Sequence, residues 1–70
     1  MNSKTINKFI GEFNKANNPR LVIIRHQFTS YGNIVKNGNK IGSICFNDFL
    51  DPAALNNYIL NYVKNDEKGL

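Results

Sequence analysis

Seventy residues make one domain and leave little room for a deep catalytic cleft. Hydrophobic residues at 41% suffice for a compact core, while the single cysteine, Cys45, excludes an intramolecular disulfide and a cysteine-rich metal site. The net charge of +4 is lopsided: residues 1–40 carry seven basic side chains against Glu12, and residues 41–70 carry Lys64 and Lys68 against Asp48, Asp51, Asp66 and Glu67.

In residues 5–16, TINKFIGEFNKA, Ile6, Phe9, Ile10 and Phe13 fall at i, i+3, i+4 and i+7, which predicts an amphipathic helix. Ser3 or Thr5 can supply its N-cap oxygen, and Asn17-Asn18-Pro19 ends it. Next, LVIIRHQFTS (21–30) is rich in β-branched and aromatic residues and reads as a strand. By parity, Val22, Ile24, His26 and Phe28 form its more apolar, inner face, and Leu21, Ile23, Arg25, Gln27 and Thr29 its outer face. Ser30 to Asn33 reads as a turn. A short second strand, NIVK, leads into Asn37-Gly38, a strong hairpin signal because both residues accept positive φ. The third strand, KIGSICF, runs from Lys40 to Phe46, with Gly42 marking a bulge or the close approach of a helix.

Asp51 is a good N-cap and Pro52 suits the first helical position. The helix that follows aligns Leu55, Tyr58, Ile59, Tyr62 and Val63. The tail 66–70, DEKGL, lacks periodicity and is expected to fray, leaving an ordered core of about 3–65. The fold expected for the single domain 1–70 is α+β in the order helix, three strands, helix. Hairpin-length connections imply an antiparallel meander, and two amphipathic helices must bury their stripes on one face of it.

Functional signals are sparse. His26 is the only histidine, and its parity between Ile24 and Phe28 argues for a packed strand residue over a general acid or base. Cys45 inside ICF reads as a small buried hydrophobe. No phosphate-loop pattern, paired carboxylates at a working spacing or metal-ligand cluster occurs, so neither catalysis nor a cofactor is expected. The longest apolar run, Leu21 to Ile24, falls far short of the roughly 20 residues of a membrane span. MNSKTINKFIGEF contains no secretory apolar region. Thirteen asparagines, with many isoleucines and lysines, fit a low-GC genome such as that of a virus or mobile element, and a cytoplasmic setting is expected.

The leading expectation is a non-enzymatic module contacting nucleic acid through the lysine- and asparagine-bearing face of the first helix and the hairpin. Lys4, Lys8, Lys15, Arg25, Lys36 and Lys40 would contact phosphates, with Asn7 and Asn14 available for amides and base edges. An acidic protein is the other partner that the charge layout suggests. The alternative is a small inhibitor or regulator covering a surface on another protein, with Leu21, Ile23 and Tyr31 as the apolar centre of contact. A homodimer is a further option, because a three-stranded sheet has open edges. With GNKIG in the third strand and a helix at each end, the element order resembles the double-stranded-RNA-binding-domain architecture, shared by small HicA-type messenger-RNA interferase toxins. That resemblance would imply RNA binding or, in a third reading, a HicA-like ribonuclease using His26. The stretch DFLDPAAL stands where RNA-binding domains carry a lysine cluster, and His26 follows Ile24-Arg25 in place of Gly-Ser, so no family residue is carried over.

Overall fold

In the computed structural model, which describes residues 1–27 and 29–69, the first helix, α1 (Ser3–Asn17), starts two residues before the segment 5–16 marked by its periodicity, so that neither Ser3 nor Thr5 is its cap. Asn2 is the N-cap; its Oδ1 accepts the Thr5 N–H at 2.8 Å, and its carbonyl accepts the Ile6 N–H at 3.0 Å. Asn18 ends α1 in an extended conformation, as the following proline demands, not in the left-handed one that asparagine also tolerates. Ile6, Phe9 and Phe13 are buried, as the helical spacing requires.

Three strands follow: β1 (Leu21–Arg25), β2 (Tyr31–Lys36) and β3 (Asn39–Cys45). They pair antiparallel in the order β1-β2-β3. The β2–β3 hairpin closes through Asn37 at φ 51° and Gly38 at φ 83°, as the Asn-Gly pair predicts. After a short 3-10 turn at Phe46–Asp48, Asp51 caps α2 (Pro52–Lys68), its carboxylate accepting the Ala54 N–H at 2.9 Å. The architecture is the α+β order helix, three-stranded meander, helix, with both helices on one face.

The facing of β1 is the reverse of the expectation. Leu21 and Ile23 are 4% and 1% exposed, whereas Ile24 is 50% exposed and the His26 side chain lies exposed beyond the strand. Phe28, also assigned to the inner face, lies outside the described residues. The reason is α1. Its Asn14 side chain accepts the Ile23 N–H at 2.8 Å and donates to the Ile23 carbonyl at 3.0 Å, acting as a miniature neighbouring strand. Those backbone groups point away from β2, so the amide closes the centre of an otherwise open edge. With α1 fixed there, Leu21 and Ile23 meet Phe9 and Phe13 in the core, and Val22 and Ile24 turn outward. The partner-surface role expected of Leu21 and Ile23 is therefore withdrawn, because both are core residues; Tyr31, at 55%, is accessible.

Tyr31, Gly32 and Asn33 belong to β2 and not to a turn. A Cβ at Gly32 would lie 2.8 Å from both the Ile24 carbonyl oxygen and the Phe46 ring, so that glycine lets the ring approach the sheet closely. β2 adds Ile34 to the core and β3 adds Ile44, while Leu55, Ile59 and Val63 descend from α2. A bulge sets Ile34 opposite Gly42 but Val35 opposite Lys40. At Gly42 a Cβ would come within 2.6 Å of the Tyr62 ring, whose hydroxyl donates to the Ile41 carbonyl at 2.9 Å. α2 reaches three residues into the segment read as a tail, because Asp66 and Glu67 lie within 3.6 Å and 3.5 Å of the Lys36 ammonium.

Two stability predictions follow from these contacts. Asn14→Ala leaves the Ile23 N–H and carbonyl without their partner and should cost about 1–3 kcal/mol in urea unfolding. The same change at exposed Asn57 should stay within about 0.5 kcal/mol. Gly42→Ala should cost about 1–3 kcal/mol by displacing Tyr62, and almost nothing in a Tyr62→Ala background. An unchanged cost in that background would mean that Tyr62 is not what requires the glycine.

Candidate nucleic-acid interface

α1 presents two polar flanks with different tasks. Ser3, Asn7 and Asn14, at i, i+4 and i+11, lie along the flank facing β1 and bond to it. Lys4, Lys8 and Glu12 lie on the other flank, where with Thr5, Phe9 and Pro52 they line a groove of about 320 Å³ toward the start of α2. Lys15 is exposed in the last turn of α1. Asn7 and Asn14, expected to reach base edges, are instead committed to β1.

Arg25 is the last residue of β1 and shares the helix-facing parity of Leu21 and Ile23. Beyond the apolar stripe it meets the polar first turns of α1. Its Nη2 donates to Ser3 Oγ at 2.9 Å, its Nη1 to Asn7 Oδ1 at 2.8 Å and its Nε to the Thr29 carbonyl at 2.8 Å. All three acceptors are neutral. They fix the guanidinium plane without cancelling its charge, and two of its five N–H donors have no protein partner among the described residues. Ser3, Asn7, Arg25 and Gln27 line an open pocket of about 520 Å³ beside it.

The electrostatics of this end are unusual for a helix start. The first turn of α1 contains no acidic residue and carries Lys4. The N-terminal end of a helix is already positive and ordinarily favours carboxylates. Here the helix end, Lys4 and Arg25 add with the same sign, and Lys8 stands one turn along. Asp51 and Glu12 are the nearby acids of the groove side, yet among the described residues neither forms an ion pair.

At the opposite end two of the basic side chains are held in ion pairs. Lys36, 14% exposed at its side chain, lies near Asp66 and Glu67, and Arg20 Nη2 meets Glu67 Oε1 at 2.7 Å. The six expected phosphate-contacting residues thus do not form one patch. Lys4, Lys8 and Arg25 gather where α1 begins, Lys15 and the exposed hairpin residue Lys40 stand toward its far end, and Lys36 is engaged in its own ion pairs. Ser3 was absent from the expected set. The sequence offered it as a candidate N-cap, and its i, i+4 relation to Asn7 acquires meaning only once the facing of β1 is known.

His26 is exposed beside Arg25, its backbone N–H bonding the Tyr31 carbonyl at 2.8 Å and its carbonyl accepting the Thr29 hydroxyl at 2.9 Å. Its expected place in the core is overturned, since β1 ends at Arg25. Among the described residues there is no group of three or more His, Cys, Asp and Glu that could hold a metal ion, and no helix is long and apolar enough to cross a membrane. No protein-family model matches the chain, and no curated protein or solved structure matches it either.

The Lys36 ammonium, with a smaller contribution from the Arg20 hydrogen bond, holds the Glu67 carboxyl below its ordinary value of 4.5, against the desolvation that would raise it. A lowered folded-state value stabilises the fold above pH 4.5, and this contribution is lost as the pH falls through the folded value. Urea midpoints measured from pH 7 downward should therefore fall more steeply for the parent protein than for Glu67→Gln in that window. Parallel curves would show that the cluster does not stabilise the fold.

Proposed function

We propose that this domain is a non-enzymatic nucleic-acid-binding module that engages the phosphate backbone with Arg25, Lys4 and Lys8, and with Lys15 further along α1. The supporting observation is the guanidinium of Arg25, oriented by three neutral acceptors at a helix start that has no acid in its first turn. Fixed donors with uncancelled charge suit phosphate oxygens, and Arg in particular can present them as a fork. From Lys4 to Lys15 the helix advances about 16 Å, or about five nucleotide steps at 3.4 Å each. Three lysines spread over that length, with Glu12 the one acid among them, suit a polyanion better than a single small anion. Lys40 on the hairpin is a peripheral contributor in this reading, and Lys36 is not one.

The test is fluorescence anisotropy with single- and double-stranded DNA and RNA at about 50 and 200 mM salt, the range over which backbone-driven binding falls steeply. Lys4→Ala and Lys8→Ala should each reduce the log–log salt slope on duplex DNA by about 0.9. Arg25→Gln should weaken binding further, and Lys36→Ala should leave the slope unchanged. Absence of binding to all four nucleic acids at low salt would refute the proposal. A second reading is a small regulator that covers a surface on another protein, for which the helix-free sheet face with Ile24 at 50% and Tyr31 at 55% exposure is the supporting observation.

A further inference from the structure

We propose that β3 pairs antiparallel with β3 of a second copy of this chain, about a two-fold axis at Ser43, giving a dimer with one continuous six-stranded sheet. This goes beyond the nucleic-acid reading and does not rest on it.

The two edges of the sheet are treated differently. On β1 the central outward-pointing residue, Ile23, has both backbone groups closed by Asn14. On β3 the ladder to β2 uses the even-numbered residues: Gly42 and Ile44 lie opposite Ile34 and Gly32, and the Phe46 N–H bonds the Ser30 carbonyl at 2.8 Å. Ser43 and Cys45 therefore point their backbone groups away from the sheet, while Ile41 is the extra residue of the bulge. The Ile41 carbonyl accepts the Tyr62 hydroxyl, but at Ser43, the centre of the edge, no partner for N–H or carbonyl exists among the described residues. The bulge, Lys40 and Tyr62 protect the edge at its Ile41 end, but neither proline nor a charged side chain stands at Ser43 itself.

The occupant that fits is the strand itself. With Ser43 opposite Ser43 of the second copy, Ile41 faces Cys45 and Gly42 faces Ile44, so no like charges meet and Ser43 falls in a hydrogen-bonding pair. The flanks are apolar. On the helix side, Phe49, Tyr58 and Tyr62 form a row with ring centroids 5.1 and 6.0 Å apart, and Tyr58 is 40% exposed. On the other side exposed Tyr31 lies cross-strand from Cys45. Pairing also ends at two copies. The β1 edge is stoppered by Asn14, so the symmetric contact closes and does not propagate into a filament.

Sedimentation velocity over a range of concentrations tests this, the expected limit being twice the 8.0 kDa chain. Ser43→Pro loses no bond within the chain, because that N–H points outward, yet removes both bonds exchanged across the axis; it should weaken the dimer at least about tenfold. Ser43→Glu and Ser43→Lys each place like charges opposite one another and should weaken it roughly fivefold at low salt, with circular dichroism unchanged. Mixing the Glu and Lys proteins in equal amounts should restore dimer as the heterodimer. A parent protein that stays monomeric at millimolar concentration overturns the proposal and leaves the edge to a foreign strand. A dimer insensitive to all three substitutions, an assembly growing beyond two copies, or a mixture that fails to restore pairing would also overturn it.

Discussion

The pair of hydrogen bonds between the Asn14 side chain and the Ile23 backbone fixes more of this molecule than any other contact. A side-chain amide has the same donor and acceptor as a peptide group, so it can substitute for one unit of a neighbouring strand. Being rooted in α1, it also sets the axial position of the helix along β1. Once Ile23 is held under Asn14, parity leaves no freedom. Leu21 and Ile23 face the core, Arg25 arrives two residues later beneath Ser3 and Asn7, and Val22 and Ile24 face outward. The polar pocket and the open sheet face are two consequences of one register.

The same register sorts the basic residues. A count of charges treats Arg25 and Lys36 as equivalent, but their surroundings differ in kind. Lys36 ends β2 near the C-terminal turns of α2, where Asp66 and Glu67 lie within reach. There the cations are balanced, and they fasten the last turn of α2 to the sheet. Arg25 ends β1 near the N-terminal turns of α1, where Ser3, Asn7 and the Thr29 carbonyl orient it but carry no charge.

Local features of the chain were readable because their causes are local. Ile6, Phe9 and Phe13 at helical spacing, Asn37-Gly38 with both φ positive, and Asp51-Pro52 at a helix start need only neighbours in sequence, and from them the order helix, three strands, helix follows. The facing of β1 was not readable in the same way. Val22, Ile24 and Phe28 make the even-numbered set the more apolar one, and hydropathy alone puts it inside. What decides against it is an amide nine residues away in sequence. Arg25 is oriented by residues 18 and 22 positions away, and the end of α2 is held by Lys36 some thirty positions earlier. The candidate site is built almost entirely from such long-range relations, which is why its members were individually visible but its grouping was not.

Asparagine, so frequent here, is best understood through these roles. Asn2 caps α1, Asn14 closes an edge, Asn7 orients Arg25, Asn17 donates to the Phe13 carbonyl at 2.8 Å and Asn37 takes the positive φ of the hairpin. A small domain has few apolar residues with which to shield its backbone, and short amides meet the exposed polar groups at little cost in volume. On that logic β3 is the exception. The strand has an asparagine at its start but none near Ser43, and no side chain from α2 does for Ser43 what Asn14 does for Ile23. Tyr62 satisfies only the Ile41 carbonyl, at one end of the edge. The contrast between a closed and an open edge in one three-stranded sheet is the strongest asymmetry of the fold, and the proposed pairing with a second copy of β3 would give Ser43 the donor and acceptor that it lacks among the described residues.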